Sequence, residues 1–351
     1  MRLGHRISAV IAAVCLIRAM LPGSAHAADQ VLRFATINLA GTPAYEQILE
    51  PFARGIEQAS GGRIEVALKP LGGYGKPSEL FNMVERGDIE IAATVQGYNP
   101  GRFPQSSVME LPLMFDTAAS GTQAIWKLYQ EGLLNRDYAS VKVLGLYMLP
   151  PYGIFTTGKK ITQLKDLRGM RVRSPSPTVG LALARLGMFP IGIPTDMIGE
   201  MLANGTVDAI SYGWDSATTS KGIGDKRLID QLKVMVDMNF AAPALMVVMN
   251  RAKWDALPAD LQAAIDAKAP ILIEGNARLR DQGEAATKAR LRGDNRFITS
   301  ELTPEQHDAM ERTIVPVIAD WKSAMAKQGL DGERLYTRAR ELVHLSTTAS
   351  R

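Results

Sequence analysis

Arg173 is the side chain of this sequence best suited to hold a ligand. A guanidinium stays charged at every physiological pH and can meet a carboxylate in a two-bonded fork, which fixes orientation as well as attraction. Its surroundings indicate where it points. Met170 and Val172 alternate into a short strand that ends at Arg173, and Ser174-Pro175-Ser176-Pro177 breaks that strand and opens a helix. Pro177 suits the first helical turn, where its missing N–H would be unpaired anyway. The guanidinium and a set of unpaired helix N-terminal N–H groups are therefore expected to face one space, which suits a carboxylate. A plainer role is also open: an arginine at a strand end can pair with a neighbouring Asp or Glu. Arg171 points to the same face of a regular strand and reads as a structural or rim charge.

Other candidates follow predicted strands. Tyr212 and Trp214 come after the strand Val207–Ile210 and either pack between layers or line an apolar ligand site. Gln96 and Tyr98 follow the strand Ile89–Ala93, and Asn38 follows Val31–Ile37. Phe155 lies just beyond the break Pro150-Pro151-Tyr152-Gly153 and either closes over a ligand or belongs to the core. Several patterns fail on inspection. Gly72-Gly73-Tyr74-Gly75-Lys76 resembles a phosphate loop, but Pro70 sits where the first Gly belongs and Pro77 replaces the magnesium-binding hydroxyl. His307 and His344 lie on predicted C-terminal helices without ligand spacing, so no metal centre is expected. No G-x-S-x-G elbow occurs, and no cofactor is expected.

The elements that must position these residues alternate regularly. From Ile161 to Trp214 the order is strand, helix, strand, helix, strand, with strands near 170–173, Phe189–Ile193 and Val207–Ile210. That alternation predicts a parallel sheet, whose ligands lie outside the carboxyl ends of the strands. The first half repeats the style. A helix over Pro43–Ser60 places Tyr45, Ile48, Leu49, Phe52 and Ile56 on one face and closes at Gly61-Gly62. A strand follows at Ile64–Leu68, then a helix over Ser78–Arg86. A helix over Thr117–Glu131 and a strand over Val141–Met148 complete the half. Two strands, Lys233–Met238 and Ala244–Met249, bracket a return crossing near Asn239. After Trp254-Asp255-Ala256-Leu257-Pro258 one long or kinked helix is expected to about Arg292, bending at Pro270 and Gly275. Thr303-Pro304 starts another, running to about Gly329. A last helix ends near His344, with a frayed tail from Ser346.

The fold class predicted is α/β with two domains joined by a hinge, residues 28–150 with 239–278 and 151–238 with 279–335, followed by a C-terminal helix and tail at 336–351. The chain opens with Arg2 and Arg6, an apolar run from Ile7 to Leu21, and Ala25-His26-Ala27. This is the pattern of a secretory signal peptide cleaved after Ala27, and it predicts a periplasmic protein. Cys15 is the only cysteine, so the exported part would hold no disulfide and depend on its core. Removing residues 1–27 leaves 37 basic and 36 acidic side chains. That balance, without a basic block, gives no reason to expect nucleic acid as a partner.

The segment Leu164-Lys165-Asp166-Leu167-Arg168-Gly169-Met170-Arg171-Val172-Arg173-Ser174-Pro175 resembles the signature of the DctP-type periplasmic solute-binding proteins of TRAP transporters. Asn204-Gly205-Thr206-Val207-Asp208-Ala209, Gly97 to Pro104 and Glu110 to Phe115 resemble further stretches of that family. The resemblance implies a ligand cleft between the domains, a long helix spanning both, and Arg173 as the carboxylate clamp. It implies an organic acid and the membrane permease subunits as partners, no enzymatic activity, and a monomer. A periplasmic sensor subunit of the same fold, or less readily an exported carboxylate-processing enzyme, stands as the alternative. The chain also departs from the family pattern. Many relatives carry a second Arg where Gly153 stands, an aromatic stacking residue where Thr195 stands, and a polar residue, typically Asn, where Tyr212 stands. One cationic clamp with added apolar surface predicts a monocarboxylate with an apolar or aromatic body, unless Lys159, Arg171 or Arg102 supplies the missing charge.

Overall fold

A computed structural model describes residues 28–349 of the chain, so the expected signal peptide lies outside the described residues. Two sheets carry the fold. The first has the strand order β2-β1-β3-β10-β4, built from β1 (Gln30–Thr36), β2 (Ile64–Lys69), β3 (Ile91–Val95), β4 (Val141–Met148) and β10 (Ala244–Asn250). The second has the order β11-β9-β5-β8-β6-β7, from β5 (Gly153–Thr156), β6 (Arg171–Ser174), β7 (Phe189–Gly192), β8 (Ala209–Tyr212), β9 (Val234–Asp237) and β11 (Ile298–Glu301). Helices α1 (Glu50–Ala59), α2 (Leu80–Arg86) and α3 (Ala118–Gln130) serve the first sheet. Helices α4 (Pro177–Arg185), α5 (Ile198–Ala203) and α6 (Trp214–Thr219) follow strands of the second.

Local chemistry accounts for most of these boundaries. A π-helical turn, Tyr45–Leu49, leads into α1, and the five apolar residues expected on one face are all buried. The chain then turns through Gly61 and Gly62, both at positive φ. Ser176 caps α4 by accepting a hydrogen bond from Val179 N, with Pro177 at the first position. β3 is buried along its whole length, and β10, antiparallel to both its neighbours, is buried except at Asn250. Strands covered on both faces need such unbroken apolar runs.

The chain passes between the sheets through residues 149–152 and 238–243. The crossings are hydrogen-bonded to each other: Tyr152 N donates to Ala241 O at 2.9 Å, and Phe240 N to Tyr152 O at 3.4 Å. This makes a paired hinge rather than a loose linker.

Several elements differ from the sequence reading. The short strands β5 and β11 and the helix α6 were not anticipated. β5 has four residues, and its partners β8 and β9 lie far along the chain. The stretch beyond Pro258 is helical and kinked as expected, with a turn at Ala267-Lys268 and the irregularity between Pro270 and Gly275. Leu257-Pro258 separates α7 (Arg251–Asp255) from α8 (Ala259–Asp266), and a π-helical turn, Ile271–Gly275, leads into α9 (Asn276–Arg292). Pro316 divides the next helix into α10 (Pro304–Ile314) and α11 (Pro316–Lys327), because a ring without an N–H interrupts the ladder. The tail expected to fray from Ser346 continues as helix α12 (Gly332–Ala349); Ser346 is buried and its hydroxyl donates to Val343 O at 2.8 Å.

α9 touches both halves of the molecule. Asp281 accepts the Ala118 and Ala119 N–H groups at the start of α3, beside the first sheet. Glu284 accepts those of Trp214 and Asp215 at the start of α6, beside the second. One strut thus caps a helix in each half. At α6 Glu284 replaces the local cap that Gly213 cannot supply, whereas α3 also has its own, Thr117 Oγ1 accepting from Ser120 N.

Candidate functional site

A cavity lies between the sheets at the carboxyl ends of β1, β3, β6 and β8. Its wall includes Asn38, Tyr98, Tyr152, Arg173, Thr195, Tyr212, Asp215 and Arg280. Its volume is about 50 Å³. At roughly 10–15 Å³ for each water on this measure, that is room for about four waters.

Arg173 is 1% exposed. Its Nε donates to Ile193 O at 2.9 Å and its Nη1 to Ser211 O at 3.2 Å. The guanidinium carbon lies 5.2 Å from the Tyr212 ring centre, in cation–π range. These contacts fix the plane and leave the Nη2 end without an acceptor. Among the described residues no carboxylate pairs with it. Arg171 contrasts with it: half-exposed, it forms a two-bonded pair with Asp208, whose Oδ1 lies 2.6 Å from Nη2. The plainer role considered for Arg173 is therefore the one that Arg171 performs.

Tyr212 closes β8, opposite Gly153, and its hydroxyl lies 2.6 Å from Ser220 Oγ. Burial pushes its phenol up to about 12, against the pull of Arg173, so it stays neutral. Tyr152 packs against it with ring centres 5.7 Å apart. Tyr98 and Asn38 supply the opposite wall. Contacts from one side to the other hold the cleft shut. Thr195 N donates to the Tyr98 hydroxyl at 3.0 Å. Gly97 lies so close to Pro175 and Ser176 that a Cβ would come within 2.3 Å of Ser176 Cβ and 2.5 Å of Pro175 O.

Three expected residues do not reach the cavity. Gln96 is buried in a network, donating to the Tyr138 hydroxyl at 2.7 Å and accepting from Ser106 Oγ at 2.8 Å. Phe155 and Trp214 pack edge to face, 5.4 Å between centres, inside the core. For Trp214 the reason is a two-residue shift of the strand, which makes it the first residue of α6 rather than part of a cleft loop. The expected free N–H groups beside Arg173 also fail. Ser176 satisfies one, and Pro177 and Thr178 line a neighbouring cavity with Gln96 and Glu110.

Tyr152, Asp215 and Arg280 also line the cavity, beyond the residues expected from the sequence. Arg280, 7% exposed, comes from α9; its Nη1 lies 3.5 Å from Asp215 Oδ2 and its Nε donates to Asn276 Oδ1 at 3.3 Å. The signal for it was a polar stripe on α9, Asn276, Arg280, Glu284 and Thr287, at helical spacing. All four are buried. None of the three substitutes considered fills the Gly153 position: Arg171 is paired with Asp208, Arg102 with Glu85, and Lys159 is exposed. Gly153 itself has no space for a side chain, since a Cβ would lie 2.3 Å from Val236 O. Among the described residues no group of side chains could hold a metal ion, and no helix is long and apolar enough to cross a membrane.

Residues 34–324 match the profile of the bacterial extracellular solute-binding proteins, family 7, the DctP family. The chain belongs to that family. It is similar to a TRAP solute-binding protein of Rhodoferax ferrireducens solved with copurified benzoate, at 25% identity and a TM-score of 0.83, covering 92% of this chain and 99% of the other. It is likewise similar to a marine metagenome TRAP solute-binding protein specific for aromatic acid ligands, solved with metahydroxyphenylacetate, at 27% identity and a TM-score of 0.81, covering 90% and 99%. The C4-dicarboxylate-binding periplasmic protein DctP of Rhodobacter capsulatus is 22% identical over 90% of this chain and 93% of its own. The architecture is the two-domain periplasmic binding fold. Family members are extracytoplasmic, bind small organic acids and work with TRAP permease subunits.

Proposed function

We propose that this protein captures a small monocarboxylate with an apolar or aromatic body and delivers it to a TRAP permease. The observation that carries the reading is the buried Arg173 guanidinium, fixed by two backbone carbonyls and paired with no acid among the described residues. A buried charge is costly until it is paired, and a ligand carboxylate at Nη2 would pair it. Tyr152 and Tyr212 give a compact body aromatic surface to lie against. The small cavity favours a compact acid over a long sugar acid. The two structures named above with aromatic acids have the same fold, and their ligands are of this class. Closure would follow from the ligand's preference for the shut form, in which the walls meet through Tyr98 and Thr195. The moving bodies would be residues 28–150 with 239–278, and 151–238 with 279–335. Binding proceeds without turnover.

Calorimetry on Arg173→Lys tests the reading. Lysine keeps the charge but loses the fork, so benzoate affinity should fall at least about tenfold while the melting curve stays cooperative. Unchanged affinity would show Arg173 to be structural. Benzoate recovered in altered form would bring the enzyme reading forward.

A further inference from the structure

The cavity wall carries two buried arginines, yet only one is free. Arg280 sits 3.5 Å from Asp215, and both side chains are largely buried. Asp215 is held in place from three directions. Its backbone N donates to Glu284 Oε2 at 3.0 Å. Its side chain faces Arg280. Its carboxyl carbon also lies against α9 where Gly283 leaves room: a Cβ at that glycine would come within 3.0 Å of it. Lys221, the remaining cation on the wall, is exposed and remains hydrated. Among the described residues, the buried charge that this wall offers to a ligand without an acid partner is therefore that of Arg173.

We propose that Asp215 is a specificity-determining residue that masks Arg280 and so sets the site for monoanions. This inference rests on the monocarboxylate reading above. A second carboxylate entering the cavity would find Arg280 engaged and Asp215 repelling it. Discrimination by an unfavourable charge against the wrong ligand is a general device. The Asp215–Arg280 pair neutralises a cation that the fold brings to the same wall as Arg173.

The test is a titration of the wild type, Asp215→Asn and Asp215→Asn/Arg280→Gln with benzoate and with succinate. In Asp215→Asn the ratio of succinate to benzoate affinity should rise at least about tenfold, because a freed guanidinium gains a charge-assisted partner. Adding Arg280→Gln should reverse that rise. Asp215→Ser, which also removes the charge, serves if Asp215→Asn does not fold. An unshifted ratio in a folded Asp215 variant, with the wild type binding benzoate, overturns the masking inference and leaves the monocarboxylate reading standing. A wild type that binds succinate and not benzoate overturns both.

Discussion

At the scale of single residues, geometry separates roles that the sequence leaves merged. Arg171 and Arg173 are two positions apart on one strand, yet one is an exposed ion pair and the other a buried guanidinium with no acid partner among the described residues. Buried acids make a second testable point. Burial pushes the carboxyls of Glu110 and Glu284 up to about 7, and that of Asp137 up to about 6. Unfolded, they would titrate near 4. Between those values the folded chain holds protons that the unfolded chain has released, so stability falls as pH rises through this window. The ligand-free protein should be more stable at about pH 5 than at about pH 7.5, by up to about 3 kcal/mol for each Glu, and should melt higher there. Glu110→Gln should flatten that slope; a melting temperature that rises with pH across the window would contradict the assignment. The sequence exposed Arg173 because a strand end beside a Ser-Pro break is a local signal. Tyr98 and Asn38 were found by the same logic and do line the cavity. Arg280 and Asp215 stayed hidden because each reaches the site from a helix whose placement depends on contacts far along the chain.

At the scale of elements, the strands and helices set by local pattern were legible, and those set by distant partners were not. The strand expected over Val141–Met148 coincides with β4, and the cap of α10 by Thr303 and Gln306 is present as a reciprocal pair. β5, β11 and α6 left little trace: they are short, and what holds them is non-local, in α6 the Glu284 carboxylate. The approach of Gly97 to Pro175 and Ser176 is a constraint of the same kind, visible only once two elements meet. It carries a prediction. Gly97→Ala would place a methyl group against backbone, at a cost of about 1–3 kcal/mol to the shut form. Benzoate affinity should fall by about tenfold or more. Small-angle scattering at saturating benzoate should show a larger radius for the variant than for the wild type, and identical radii would contradict the role given to this contact.

Across the whole molecule, two sheets, a hydrogen-bonded pair of crossings and a helix braced on both halves form a cleft. Export is an expectation of the first 27 residues: mass spectrometry of periplasmic material should find a chain beginning at Ala28, and an intact Met1 would refute it. Selection of a monocarboxylate rests on one buried guanidinium, Arg173, that has no acid partner among the described residues. Side-by-side calorimetric titration of the wild-type protein with benzoate and succinate tests it most directly. One-site binding of benzoate is expected to be at least about tenfold tighter than that of succinate, since a second buried carboxylate without a partner costs several kcal/mol. Tighter binding of succinate would contradict it.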